Sequence, residues 1–244
     1  MRLADTPAPA PAGGDAVPPA PESTPQEAVA REPAQNEAPA FSGPSVFSAA
    51  VAALEAGRDA VSEVRDDLEF EEWPAPQRLA PHAAAIGATA YRDGDEAGTA
   101  RLMLLYDPAG REGWTGTFRV VVQVHADVDE EMAADPLLGE VGWSWLTDAL
   151  DLHAPGFGAP SGTVTRVITE GYGAKEDDPP TTAFELRASW CPSDDDIDDE
   201  ISGAVLAWSD VLAAAAGLPA QPPGTRALGQ RGPASRGADA RRRR

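Results

Sequence analysis

Residues 117–126, Thr-Phe-Arg-Val-Val-Val-Gln-Val-His-Ala, are the stretch that best indicates how this chain folds. Large apolar residues occupy every second position, and Arg119, Gln123 and His125 stand among the residues between them. Because successive side chains of a β-strand point to opposite faces, this alternation predicts a strand that is buried on one face and exposed on the other. A sheet of such strands needs helices over one face only.

The patterns on both sides of this strand predict an α+β order. Asp93-Gly94 separates two strand-like runs and predicts a tight hairpin. The predicted strands are 68–71, 83–92, 97–106, 117–126, 162–172 and 181–190, and the predicted helices are 44–64, a short one near 129, 137–152 and one from 201 to about 216. Since strands joined by short turns are antiparallel, we expect a two-layer α+β domain. It would have an antiparallel sheet of five to six strands with three helices on one face, in the order α-β-β-β-α-β-β-α.

The two ends of the chain differ in composition from its middle. Residues 1–43 are rich in Pro and Ala, and residues 221–244 are rich in Gly, Pro and Arg. Neither segment has enough large apolar side chains to offset the entropy of ordering its backbone, so both are predicted to be disordered tails. Residues 44–220 hold all six Trp residues and are predicted to form one domain.

Charge, cysteine content and hydropathy argue against several classes of function. Residues 44–220 carry 33 acidic and ten basic side chains, so this region repels nucleic acid and anionic lipid headgroups. Nucleic acid is therefore expected to bind only through the Arg-rich tail, if at all. Cys191 is the only cysteine, which excludes an intrachain disulfide and a Cys-based zinc site. The sequence shows neither a secretion signal nor a membrane-spanning stretch, so a cytoplasmic location without membrane association is expected.

Common catalytic and cofactor-binding motifs are not found. The nearest match to Gly-x-Ser-x-Gly is residues 142–146, Gly-Trp-Ser-Trp-Leu, which lack the final Gly and lie in a predicted helix. The three His residues are scattered, and the acidic run 194–200 lacks the ligand spacing and the Gly of a calcium loop. We expect no cofactor and no metal ion. The sequence favours a non-catalytic protein without excluding an enzyme.

The predicted helix 137–152 is apolar over more than one stripe. The residues of its main stripe at helical spacing are Leu138, Val141, Trp145, Ala149 and Leu152. Trp143, Leu146 and Leu150 extend the apolar surface beyond that stripe. Either this helix is covered on two sides, or these three residues contact another polypeptide, for which Trp is a favoured anchor.

The polar face of the sheet is a second candidate site. Arg119 and His125 share one face of strand 117–126, and Arg187 lies on the corresponding face of strand 181–190. If the two strands are close together, these three side chains form a patch that suits an anionic ligand or a dimer contact. The alternative is an ordinary hydrated sheet surface.

Several blocks of the sequence resemble a known family. They are residues 74–81, 106–110, 113–118, 135–146, 159–166, 187–190 and 207–219. Together they resemble the actinobacterial "domain of unknown function 3000" family over roughly residues 45–220. The resemblance implies an actinobacterial cytosolic protein and brings no known activity.

The predicted order of elements is also similar to that of secretion-chaperone-like domains, which are small, often acidic and often dimeric proteins that bind other polypeptides. The favoured hypothesis is therefore a protein-binding or chaperone-like module with another polypeptide as its partner, and possible homodimerisation. One alternative is a small anionic-ligand site or an enzyme on the polar face of the sheet. Another is nucleic-acid association through the Arg-rich tail.

Overall fold

The computed structural model describes residues 44–220, and the predicted tails, residues 1–43 and 221–244, lie outside the described residues. The elements are α1 (Pro44–Val64), β1 (Leu68–Glu72), β2 (His82–Arg92), β3 (Asp95–Tyr106), β4 (Phe118–Asp127), α2 (Glu130–Ala134), α3 (Leu138–His153), β5 (Gly158–Thr169), a 3₁₀ turn (Gly173–Lys175), β6 (Thr181–Cys191) and α4 (Ile197–Ala215). The predicted α+β class is confirmed.

The six strands form one open sheet in the order β1-β2-β3-β4-β6-β5, and every neighbouring pair is antiparallel. The predicted hairpin joins β2 to β3. Its turn residues Asp93 and Gly94 have φ values of 57° and 93°, the left-handed backbone that a tight two-residue turn requires. After β4 the chain makes α2 and α3, runs along the sheet edge as β5, and returns as β6 between β4 and β5.

The helices cover one face of the sheet, and α4 is central among them. It packs across β2, β3 and β4, while α1 lies against α4 and β1, and α3 lies against α4 and β5. The fully buried side chains of α4 recur at helical spacing and include Ile201, Val205, Trp208 and Leu212. They meet the buried residues of β4, which include the alternating Phe118, Val120, Val122 and Val124 of the sequence pattern.

The structure differs from the sequence prediction mainly at element ends. α4 begins at Ile197 rather than near residue 201, so part of the acidic run forms its first turn, where negative charge stabilises a helix. β5 begins at Gly158 and ends at Thr169, a shift toward the N-terminus relative to the predicted 162–172. The short helix near residue 129 is present as α2, capped by Asp129, and brings the helices described to four. No helix among residues 44–220 has both the length and the hydropathy needed to cross a membrane.

Candidate functional site

The face of the sheet opposite the helices, here called the open face, carries two adjacent cross-strand rows of polar side chains. The strand register places Arg101 of β3, Gln123 of β4 and Arg187 of β6 in one row, between Gly87 of β2 and Thr163 of β5. Neighbouring strands lie ~4.8 Å apart, so the Cα atoms of the two arginines are ~10 Å apart with Gln123 between them. One row thus presents two guanidinium groups on either side of a neutral amide.

The second row lies one side-chain repeat along the strands. It contains Thr99, His125 and Glu185. Nδ1 of His125 lies 3.7 Å from Oε1 of Glu185, and Nη2 of Arg187 lies 3.4 Å from Oε2 of the same carboxylate. Glu185 therefore bridges the two rows. Both contacts are long and solvent-exposed, so they hold the side chains only weakly.

Trp73 forms a wall beside the first row. Gly87 of β2 makes room for it, because a Cβ atom at that position would lie 2.3 Å from Nε1 of the indole. The guanidinium of Arg101 lies 4.8 Å from the centre of the Trp73 ring and donates a hydrogen bond of 2.9 Å to the Pro74 carbonyl. The indole N–H of Trp73 donates to Glu71 at 2.6 Å. These contacts hold the segment after β1 against the open face.

The Trp73 wall and the two rows enclose a shallow depression of about 280 Å³, here called the open-face cleft. Its polar lining residues are Thr99, Arg101, Gln123, His125, Glu185 and Arg187. Nε of Arg101 is buried there and has no hydrogen-bond partner among the described residues. A cleft with two arginines in so acidic a domain is a suitable place for an anion.

The structure brings two of the three residues of the predicted polar site together and places the third elsewhere. His125 and Arg187 both line the open-face cleft, as expected for neighbouring strands. Arg119 shares their face, but it is six residues from His125 along β4, or ~20 Å. Its guanidinium donates to Ser189 at 2.8 Å, to Ser161 at 3.3 Å and to Sγ of Cys191 at 3.4 Å. Arg119 therefore ties β4 to β6 and β5, and it lies outside the cleft that His125 and Arg187 line.

The predicted apolar site on α3 is also changed by the structure. Leu146 and Leu150 are fully buried in the core, so they do not reach a partner from the surface. Trp143 is half-buried, and its ring lies over Gly162 of β5, where a Cβ atom would be 2.7 Å from Cζ3 of the indole. The three residues do not form a common exposed surface.

Trp73 and Arg101 are among the cleft residues that the predicted site did not include. Trp73 precedes the Pro-rich segment 74–81, which the sequence marks only as a break after a short strand. The register that places Arg101 beside Gln123 comes from the paired strands and has no signature in either strand alone. A Trp immediately before the Pro-rich break was the one available signal. Among residues 44–220, no group of three or more His, Cys, Asp or Glu is arranged to hold a metal ion.

Comparison with known proteins gives a family and no activity. A family model described as "Protein of unknown function (DUF3000)" matches residues 43–225. Neither a curated protein nor a solved structure matches the chain significantly. The match covers well over half of the 244 residues and includes every described helix and strand. The chain therefore belongs to the DUF3000 family.

Proposed function

We propose that this domain binds a small anionic ligand in the open-face cleft, with the anionic group held above Gln123 between Arg101 and Arg187. The observation that carries this proposal is the single cross-strand row Arg101–Gln123–Arg187. Two cations share this row in a region with 33 acidic and only ten basic side chains. Most of the domain surface repels anions, so a local pair of arginines selects where one can bind.

The two arginines contribute differently to such a site. Arg101 is held in place by the Trp73 ring and the Pro74 carbonyl, and its buried Nε has an unused donor. Arg187 is exposed, and within residues 44–220 its guanidinium donates only a long hydrogen bond, to Glu185. A carboxylate or phosphate therefore meets one preorganised guanidinium and one that is free to close over it. Hydrogen bonds to a charged group of this kind are about twice as strong as neutral ones.

The size and the wall of the cleft limit the ligand. A volume of about 280 Å³ lies just below the usual range for small-molecule sites. Trp73 leaves 41% of its surface exposed and offers an aromatic face beside the arginine row. A compact carboxylate or phosphate with a short apolar part suits this combination better than a long polymer.

The other hypotheses have less support from the residues described. A polypeptide-binding or chaperone-like role was assigned to the surface of α3, and two of its three residues, Leu146 and Leu150, lie in the core. Association with nucleic acid was assigned to residues 221–244, which lie outside the described residues and stay a prediction. The polar face keeps two of its three predicted residues, His125 and Arg187, in one cleft.

Titration of the ¹⁵N-labelled full chain tests this proposal, with citrate and inorganic pyrophosphate as the probes. We expect saturable shifts of the Gln123 side-chain amide and the Trp73 indole N–H with at least one of them. Arg101→Gln and Arg187→Gln should each weaken binding by about tenfold or more, since a hydrogen bond to a charged group contributes ~1.5–3 kcal/mol. Arg58→Gln is the matched control, because Arg58 lies on α1 and pairs with Asp59. Shifts that never saturate, or equal losses in Arg58→Gln and Arg187→Gln, would contradict a specific site.

A further inference from the structure

The two edges of the sheet differ in how well they are protected against pairing with another strand. β1 is five residues long, contains Glu69, Glu71 and Glu72, and is soon followed by Pro74. Short length, charge and Pro are the usual protections of an edge strand. β5 is twelve residues long and carries one charged side chain, that of Arg166. Its protection is confined to its start, where Pro160 stands and the register with β6 shifts.

The backbone of β5 offers a regular row of outward hydrogen-bonding groups. The Thr182 carbonyl accepts from the Val128 N–H at 3.1 Å, so the backbone groups of even-numbered β6 residues face β4. The backbone groups of odd-numbered β6 residues then face β5. Glu185 pairs with Thr165, so the backbone groups of odd-numbered β5 residues face β6 and those of even-numbered β5 residues face outward. The outward N–H and C=O groups of β5 are therefore those of Gly162, Val164, Arg166 and Ile168. None of them bonds to another backbone group within residues 44–220.

We propose that β5 pairs antiparallel with β5 of a second copy of this chain, about a two-fold axis at Thr165. The outward groups are centred on Thr165, so this register pairs all of them. Gly162 lies opposite Ile168 of the second copy, and Val164 lies opposite Arg166 of the second copy. The two six-stranded sheets become one continuous sheet.

The side chains are complementary in this register. Ile168 is 62% exposed and lies on the helix side of β5, as Gly162 does. Gly162 has no side chain, and the half-buried Trp143 ring lies over it. Ile168 of each copy therefore packs beside Trp143 of the other. On the open face, Thr165 meets its own copy and Thr163 meets Val167, pairs of β-branched residues that suit adjacent strands.

Charge also favours this edge for a contact between two copies. A net charge of −23 over residues 44–220 opposes the approach of a second copy through most of the surface. β5 adds no acidic residue to that repulsion. The guanidinium of Arg166 is turned toward the Ala133 and Asp135 carbonyls, at 3.3 and 3.0 Å, and does not block the edge. A second copy is thus the occupant that this edge fits, independently of any ligand in the open-face cleft.

Disulfide trapping of the full chain tests the register. In a non-hydrogen-bonded antiparallel pair the Cα atoms are ~4.5 Å apart, within the range of a disulfide. Thr165→Cys should therefore form a crosslinked dimer on mild oxidation. Thr163→Cys is the matched control, because its two copies would be ~13 Å apart along the strands. The native Cys191 is buried and does not compete. Equal crosslinking of both variants, or none by Thr165→Cys, overturns the proposed pairing.

Sedimentation equilibrium of the full chain tests the dimer itself. The unmodified chain should be dimeric at micromolar concentration, and Ile168→Glu should raise the dimer dissociation constant at least tenfold. Leu152→Glu is the matched control, because Leu152 is also largely exposed but lies at the far end of α3, beside residues of α4. If the chain is monomeric at these concentrations, the proposal is overturned, and a strand of another protein becomes the better candidate for this edge. A dimer that Ile168→Glu leaves unchanged overturns it as well.

Discussion

The two faces of the sheet are built from the same strands, yet their side chains have different roles. On the helix side, β4 contributes Phe118, Val120 and Val122, and all three are almost fully buried. On the open face the intervening positions include Gln123 and His125, which line a cleft. The stability of the helix side depends on close packing, so even a change of one methyl group there alters the free energy of unfolding. The open face depends mainly on which polar groups the register brings together.

The open face is not uniformly polar, and its exception shows how it is organised. Met103 and Leu105 of β3 point to the open face and are nevertheless buried, outside the main core. The segment after β1 lies against this face through the contacts of Trp73 and Arg101. One end of the open face is thus packed, and the other end forms the cleft. We therefore expect substitutions on the helix side to have large effects on stability and substitutions beside the cleft to have small ones.

Replacing a tryptophan on each face should give the largest contrast. Trp208 is fully buried in α4, and Trp208→Ala should lower the free energy of unfolding by ~3–5 kcal/mol, through lost burial and a residual cavity. Trp73→Ala removes the same side chain from the open face, where 41% of it is exposed, and should cost ~1 kcal/mol or less. Urea denaturation of both variants measures the difference. Equal losses would mean that the open face contributes to the core as much as the helix side does.

Two glycines of α3 should give an intermediate contrast. A Cβ atom on Gly142 would lie 2.5 Å from Cε2 of Phe184, which is fully buried. Gly142→Ala should therefore destabilise the domain by ~1–3 kcal/mol through overpacking. Gly139 has nothing within 4 Å of the same position, so Gly139→Ala should stabilise by ~0.5–1 kcal/mol through helix propensity. Thermal or urea unfolding distinguishes the two, and destabilisation by Gly139→Ala would show that the outer side of α3 is more closely packed than described.

Gly142 also explains why the apolar pattern predicted the right helix but a buried stripe that matches only at Leu138 and Ala149. The predicted stripe of α3 contained Val141 and Leu152, which are among the exposed large apolar residues. The buried residues are Leu138, Gly142, Leu146, Ala149 and Leu150. A count of large apolar residues gives no weight to a glycine, although this glycine lets α3 approach Phe184 closely. The pattern of large apolar residues therefore missed the buried stripe, because Gly142 is part of it.

The strands were easier to predict than the site they form. Alternation within one strand showed which side chains share a face, and the buried and exposed positions of β4 follow it. Distances along and between strands depend on register, which pairing and turns determine. The sequence could therefore place Arg119, His125 and Arg187 on one face. It could not show that His125 and Arg187 line one cleft while Arg119 lies ~20 Å from His125.

A carboxyl group on the helix side provides the smallest and most specific test. Glu200 of α4 is buried, and its Oε1 accepts a hydrogen bond of 2.7 Å from the Gly156 N–H. Oε2 has no partner among the described residues. Burial raises the pKa of Glu200 above its ordinary value, and the charges of Asp196 and Asp199 act in the same direction. The hydrogen bonds from the Gly156 and Ser193 backbone oppose this effect only in part.

The sign of the pH dependence follows from this raised pKa. Folding favours the protonated Glu200, so its contribution to stability is complete below the ordinary pKa of a glutamate and is lost as pH rises through the raised value. Gln is neutral at every pH and keeps the oxygen that accepts from Gly156. Glu200→Gln should therefore match the unmodified chain in acid and become relatively more stable toward neutral pH. Urea unfolding at a series of pH values measures the difference. If the free energies of unfolding of the two proteins change with pH in parallel, the charge on Glu200 costs no more on the helix side than the charge on Glu185 does on the open face.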